Sequence, residues 1–208
     1  GGTLWEYAPL TDNWTLRGNF PGSAGGNVVV TMNGKGYLIN MSTPATWEYD
    51  PANNSWVQKA SFPGQTRSLY AGFVIDNKAY CGTGRVSGSM LKDLWEFDPL
   101  SNSWTQKADL PTTRASVFSF AISGKGYFVG GYYLNGGENY YPRTTYEYDP
   151  VLNAWTIRAM FPDERWRGVS FTIGSKGYIG MGSSGTSTFN SILEYDPIAN
   201  TWVYKGTL

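Results

Sequence analysis

Short runs of apolar residues such as "GKGYFVGG" recur along the chain, separated by Gly, Asn, Asp and Pro, and stretches such as "SVFSFAI" place large side chains at alternating positions. Alternation bounded by turn formers predicts half-buried β-strands, and no helix is needed. The strands come in sets of four. An apolar strand is followed by a Gly-Tyr strand ("GKGYLIN", "NKAYCGTG", "GKGYFVGG", "SKGYIGMG"), then by an aromatic-Glu-Tyr strand and a Trp strand. Asn-Gly, Asp-Asn, Ser-Gly and Gly-Ser join the first two strands of each set, as tight two-residue hairpins require.

The last two strands of each set carry a refrain with five copies: "WEYAPLTDNW", "WEYDPANNSW", "WEFDPLSNSW", "YEYDPVLNAW" and "LEYDPIANTW". Tyr7, Tyr49, Phe97, Tyr148 and Tyr195 each precede a tryptophan by seven residues: Trp14, Trp56, Trp104, Trp155 and Trp202. Asp-Pro opens the intervening turn in four copies, Asp bonding the amides ahead of it and Pro presetting the first corner. Successive tryptophans lie 42, 48, 51 and 47 residues apart. Four strands at a period near 50 residues is the period of a propeller blade, a sheet that must stack on its neighbours to bury both faces. The expected architecture is therefore a single all-β propeller domain. It has a half blade at 1–20 and four complete four-stranded blades at 21–60, 61–110, 111–161 and 162–208. The unmatched N-terminal hairpin points to a ring of five or more blades, completed by the rest of a longer chain or by another subunit.

The pattern resembles the kelch-repeat family, as in bacterial extracellular kelch chains and the central propeller of galactose oxidase. In that repeat a glycine pair after the second strand is followed by a Tyr and, after a fixed gap, a Trp. Gly130 and Gly131, with Tyr148 and Trp155, match best; Cys81-Gly82 and Gly180-Met181-Gly182 are looser versions, and Ile39-Asn40 departs from it. The resemblance implies the kelch-type propeller fold. It does not imply one function, because kelch propellers serve as enzymes, adaptors and surface binders.

The repeated tryptophans read as inter-blade packing. The repeated acids Glu6, Glu48, Glu96, Glu147 and Glu194 read as exposed cross-strand partners of Arg17, Lys59, Lys107, Arg158 and Lys205, not as a catalytic ring. The non-repeating features gather elsewhere. Arg67, Arg114 and Arg165 stand at the entrance to the innermost strands, with Ala24 in the equivalent place of the first unit. They share a rim with the long loops between the second and third strands. The third loop, "YYLNGGENYYPR", carries Tyr132, Tyr133, Tyr140, Tyr141 and Arg143, and Trp166 and Arg167 follow on the next connection. Long uneven loops on a regular scaffold are where binding resides, and aromatic faces with guanidinium groups suit a glycan or a peptide carboxylate.

Sixteen basic and sixteen acidic side chains cancel without forming runs, so nucleic acid and anionic membranes are not expected partners. No apolar run is long enough to span a bilayer. The chain holds no histidine, which excludes Ser-His-Asp and Cys-His chemistry and the copper site of galactose oxidase; no cofactor or metal is expected. The leading expectation is a non-catalytic module, secreted or at a bacterial cell surface, that binds protein or carbohydrate through the long-loop rim. One alternative is a kelch-type sugar mutarotase or epimerase, or another carbohydrate-active enzyme, using the rim acids Glu138, Asp163 and Glu164. The other is an adaptor that holds an acidic peptide through the arginines.

Overall fold

The turn residues set where the strands pair. In the computed structural model, which describes residues 2–22 and 25–207, the chain forms 22 strands and no helix among the described residues. Ala24 lies outside the described residues. A hairpin of β1 (Thr3–Ala8) and β2 (Asn13–Asn19) comes first. The first four-stranded sheet follows: β3 (Asn27–Met32), β4 (Lys35–Asn40), β5 (Ala45–Asp50) and β6 (Ser55–Lys59), antiparallel and in chain order. The second contains β7 (Ala71–Ile75), β8 (Lys78–Gly82), β11 (Leu94–Asp98) and β12 (Ser103–Lys107). The third contains β13 (Phe118–Ile122), β14 (Lys125–Val129), β17 (Thr145–Asp149) and β18 (Ala154–Arg158). The fourth contains β19 (Val169–Ile173), β20 (Lys176–Gly180), β21 (Ser191–Asp196) and β22 (Thr201–Thr207). Two small hairpins sit inside long loops: β9 (Arg85–Val86) with β10 (Ser89–Met90), and β15 (Tyr133–Asn135) with β16 (Glu138–Tyr140).

Each aromatic of the refrain lies directly across the strand pair from its tryptophan, as in Tyr49↔Trp56 and Tyr148↔Trp155, with ring centroids 4.9–5.1 Å apart. The turn between them holds Asn54, Asn102, Asn153 or Asn200 in the left-handed region, a conformation asparagine tolerates because its short side chain can bond locally. That turn also docks one sheet on the one before it. Asn102 Oδ1 accepts from the Ala60 amide at 2.9 Å, and Trp104 Nε1 donates to the Ala60 carbonyl at 3.0 Å. Asn153 and Trp155 clamp Ala108 in the same way, and Asn200 and Trp202 clamp Ala159. The refrain is therefore the joint between successive sheets. Tyr49, Phe97, Tyr148 and Tyr195 pack beside these tryptophans, the last three of them fully buried.

The core lies between the sheets. Phe73, Tyr80 and Ile75 pack against Phe128 and Tyr148 of the next sheet, and Phe120 and Tyr127 against Ile179 and Tyr195 of the one after. Gly126 is required here, since a Cβ on it would lie 2.1 Å from the Phe73 ring. The innermost strands are also tied directly: Ser119 Oγ donates to the Gly72 carbonyl at 2.8 Å and Ser170 Oγ to the Ser119 carbonyl at 2.9 Å.

Three expectations need correction. Trp14 is 64% exposed rather than a core residue, because among the described residues no preceding sheet offers it an alanine to clamp. The looser glycine pairs are shifted in register. After β8 and β20 the positive-φ positions equivalent to Gly130-Gly131 are Thr83-Gly84 and Met181-Gly182. At the second of these positions the backbone that enters the same sheet comes too close for a side chain; a Cβ on Gly131 would lie 2.6 Å from the Ala115 carbonyl oxygen.

The acid–base pairs are the third correction. All five form, among them Lys107–Glu96 at 3.0 Å and Arg158–Glu147 at 3.4 Å, but Glu48 and Glu96 are buried. The tyrosines of the second strands donate to the same carboxylates: Tyr37 to Glu48 at 2.6 Å, Tyr80 to Glu96 at 2.7 Å, Tyr127 to Glu147 at 2.5 Å and Tyr178 to Glu194 at 2.6 Å. Burial pushes the Glu48 and Glu96 carboxyls up. Hydrogen bonds from Lys35 and Tyr37 to one, and from Tyr80, Lys107 and Lys78 to the other, outweigh it and hold both below the ordinary 4.5. A carboxyl lowered in the folded state stabilises the fold above its unfolded value, and that contribution is lost as pH falls through the folded value. With no histidine in the chain, thermal melts across pH should be level from about pH 5 to 8 and fall below about pH 4.5. A step between pH 5 and 8 would contradict this assignment of the titrating groups.

Candidate functional site on the long-loop rim

Both the connections from one sheet to the next and the loops from second to third strand lie on one rim, held together by isolated bridges. Arg114 pairs with Leu91, Ala115 with Tyr132, and Trp166 with Ser183. The rim therefore carries every residue expected for binding, but in two different environments.

The three arginines point inward. Arg67, Arg114 and Arg165 are 3%, 3% and 0% exposed, each with its guanidinium over an aromatic ring: Phe62, Tyr146 and Phe161, respectively. Arg67 forks onto Asp93, with Nη2 donating to Oδ2 at 2.7 Å, and also donates to the carbonyls of Gln65 and Thr83. Arg165 is paired with Asp163 and donates to Ser191 Oγ at 2.9 Å. These two are internal struts that tie a sheet entrance to the loop of the same sheet. Asp163 is thereby committed to structure.

Arg114 differs. Its Nε donates to Thr112 Oγ1 at 3.2 Å, Nη1 to the Gly130 carbonyl at 3.0 Å and Nη2 to Thr144 Oγ1 at 3.5 Å, all neutral acceptors. Among the described residues no carboxylate pairs with it. Burial lowers its pKa, partly offset by Tyr146. It lines an open cavity of about 500 Å³ shared with Thr112, Thr113, Tyr133, Pro142, Thr144 and Tyr146.

A second cavity of about 360 Å³, lined by Tyr133, Asn139, Tyr140, Tyr141, Pro142 and Glu164, adjoins the first across Tyr133 and Pro142. The β15–β16 hairpin forms its wall, with Tyr133 and Tyr140 paired across the strands and stacked at 5.5 Å. Tyr140 is 44% exposed. Tyr132 is buried instead, and with Tyr141 and Trp166 it forms an aromatic cluster over Met90 and Ala115. Trp166 Nε1 is a buried donor that finds no acceptor among the described residues. Arg167 covers the Trp166 ring at 4.1 Å, and Arg143 is exposed, with Nε donating to the Phe161 carbonyl at 2.8 Å. Glu138 is exposed at the hairpin tip, and no cluster of acids, Cys or His among the described residues could hold a metal ion. Cys81 is buried, and burial pushes its thiol up to about 12, so it is not a nucleophile at neutral pH.

Four-stranded antiparallel sheets packed side by side, with tight turns on one rim and long loops on the other, define a β-propeller-like architecture. Among solved structures, "Structure of YjhT" is similar over 90% of this chain and 67% of its own, with a TM-score of 0.77 and 18% sequence identity. At that identity the likeness is one of fold. No family model matches the chain, and no curated protein matches it.

Proposed function

We propose that this chain is a kelch-type propeller segment acting as a non-catalytic binding module, with the long-loop rim as its recognition face for protein or carbohydrate. The observation that carries this reading is the concentration of irregularity on one rim. Both extra hairpins, the exposed Tyr140 and the two adjoining cavities lie there, while the opposite rim repeats the same short turns. Hydroxyl-bearing aromatic walls suit sugar faces and peptide side chains alike. The enzymatic alternative is weakened by the pairing of Asp163 with Arg165, which removes one of the rim acids it would use. Tyr140→Ala removes an exposed ring without touching the core. It should weaken capture from a panel of immobilised glycans and peptides roughly tenfold or more, the loss of one aromatic contact, with an unchanged melting temperature. Undiminished capture would count against this rim.

The reading includes further strands that complete the ring. Phe171 and Ile173 on the last sheet are 39% and 61% exposed, whereas their counterparts Phe120 and Ile122 are buried at 4% and 3%. The solved neighbour has a third of its chain outside the match. We assign the bare face to an additional sheet of the same polypeptide. Light scattering of the 208-residue chain over a concentration series should then give a monomer, whereas a stable dimer would assign the cover to a second subunit.

A further inference from the structure

We infer that the Arg114 cavity is a binding site for the carboxylate of a small, hydroxyl-bearing molecule. The inference rests on the long-loop rim being the recognition face, and its basis is a comparison within the chain itself. The buried rim arginine recurs three times, and a buried guanidinium requires a counter-charge. In the second sheet Asp93, four residues before Phe97, supplies it. In the fourth sheet Asp163, two residues before Arg165, supplies it. In the third sheet both positions are threonine: Thr144 stands four residues before Tyr148 and Thr112 two before Arg114. The place where Asp93 would put its carboxylate is left to a Thr144 hydroxyl 3.5 Å from Nη2.

Arg114 also lines an open rim cavity. The guanidinium has five N–H groups in a fork that matches a carboxylate; it spends three of them on Thr112, the Gly130 carbonyl and Thr144, and Tyr146, which also interacts with it, is a neutral phenol rather than a carboxylate. An incoming carboxylate would take the place held by Asp93 in the second sheet. Around it stand neutral hydroxyls: Thr112 and Thr144 are bonded to the guanidinium, and Tyr146 OH lies 3.4 Å from Thr112 Oγ1. Glu164 lines the adjoining cavity and would repel a second negative charge. The site thus favours a single carboxylate on a neutral, hydroxylated body over a polyanion or an acidic peptide.

The test is calorimetric titration of the folded chain with galacturonate, acetate and galactose. Galacturonate should bind saturably and galactose roughly ten- to a hundredfold more weakly, the loss of one charge-assisted pair. Acetate binding at intermediate strength would show that the carboxylate supplies part of the affinity and the hydroxylated body the rest, as inferred; acetate binding as tight as galacturonate would overturn the hydroxylated body. Arg114→Gln should abolish binding but risks the fold, so Thr144→Asp is the decisive variant. It supplies an internal carboxylate where Asp93 has one, and should abolish galacturonate binding while the melting temperature holds or rises. Absent galacturonate binding, equal affinity for galactose, or undiminished binding by Thr144→Asp would each overturn the inference. Loss of panel capture in Tyr140→Ala alongside no uptake of galacturonate would remove this site alone. Uptake lost in Thr144→Asp, with panel capture indifferent to Tyr140, would support this site and remove the wider rim reading.

Discussion

Replacing Trp104 with alanine should lower the unfolding free energy by about 3 kcal/mol, the lower end of the range for deleting a large core aromatic, because the ring is partly buried against its cluster. The indole packs at 5.3 Å on Phe62 and 5.1 Å on Phe97, and its Nε1 holds the Ala60 carbonyl of the preceding sheet. Its loss opens the joint and strands a backbone acceptor. The same substitution at Trp14 should cost under about 1 kcal/mol, because that ring stands largely in solvent. Urea unfolding followed by circular dichroism measures both. Similar costs at the two positions would mean that the joint is not what the repeat supplies.

Asp93→Thr is the second large effect. It would leave Arg67, whose side chain is 1% exposed, without the carboxylate that grips both of its terminal nitrogens. Breaking a buried pair from one side costs about 3 to 5 kcal/mol, and the partial exposure of Asp93 places the expected value near the lower end. The substitution recreates in the second sheet the arrangement that Arg114 and Thr144 have in the third. A destabilisation within about 0.5 kcal/mol, the range of an ordinary surface change, would show that these buried guanidinium groups do not need a counter-charge, and would remove the physical basis for treating Arg114 as unsatisfied.

The repeat was legible because its signals are local. The aromatic–Trp register, the Glu–Lys pairs and the two-residue joints each depend on residues within one hairpin, where period two and turn chemistry decide the pairing. What escaped the sequence depends on contacts between copies. Nothing in "DPLSNSW" announces that Asn102 will hold an amide 42 residues earlier, although an Asn at the same place in four copies is the signal that could have been used. Thr83 hid a glycine-pair equivalent because a left-handed threonine is rare. The hairpins β9–β10 and β15–β16 were missed, although Ser-Gly and Gly-Gly inside the loops are the signal that could have found them.

The candidate site was legible as a rim but not as chemistry. The entrance position of Arg67, Arg114 and Arg165 follows from strand order. Their inward direction goes with the carboxylates that pair with two of them: Asp93, which only the folded loop brings near Arg67, and Asp163, two residues from Arg165; around Arg114 both places are threonine. Tyr132 and Tyr140 look equivalent in "YYLNGGENYYPR", yet one is buried beneath the hairpin and the other stands on it.

Recognition by the long-loop rim is tested by comparing capture from the glycan and peptide panel by two variants that alter opposite rims. One carries Tyr140→Ala; the other carries Leu100→Ser, Val151→Ser and Ile198→Ser, exposed side chains in the short turns. Capture lost only in the long-loop variant is the predicted result. Capture lost only in the short-turn variant would contradict it and place recognition on the repeated face.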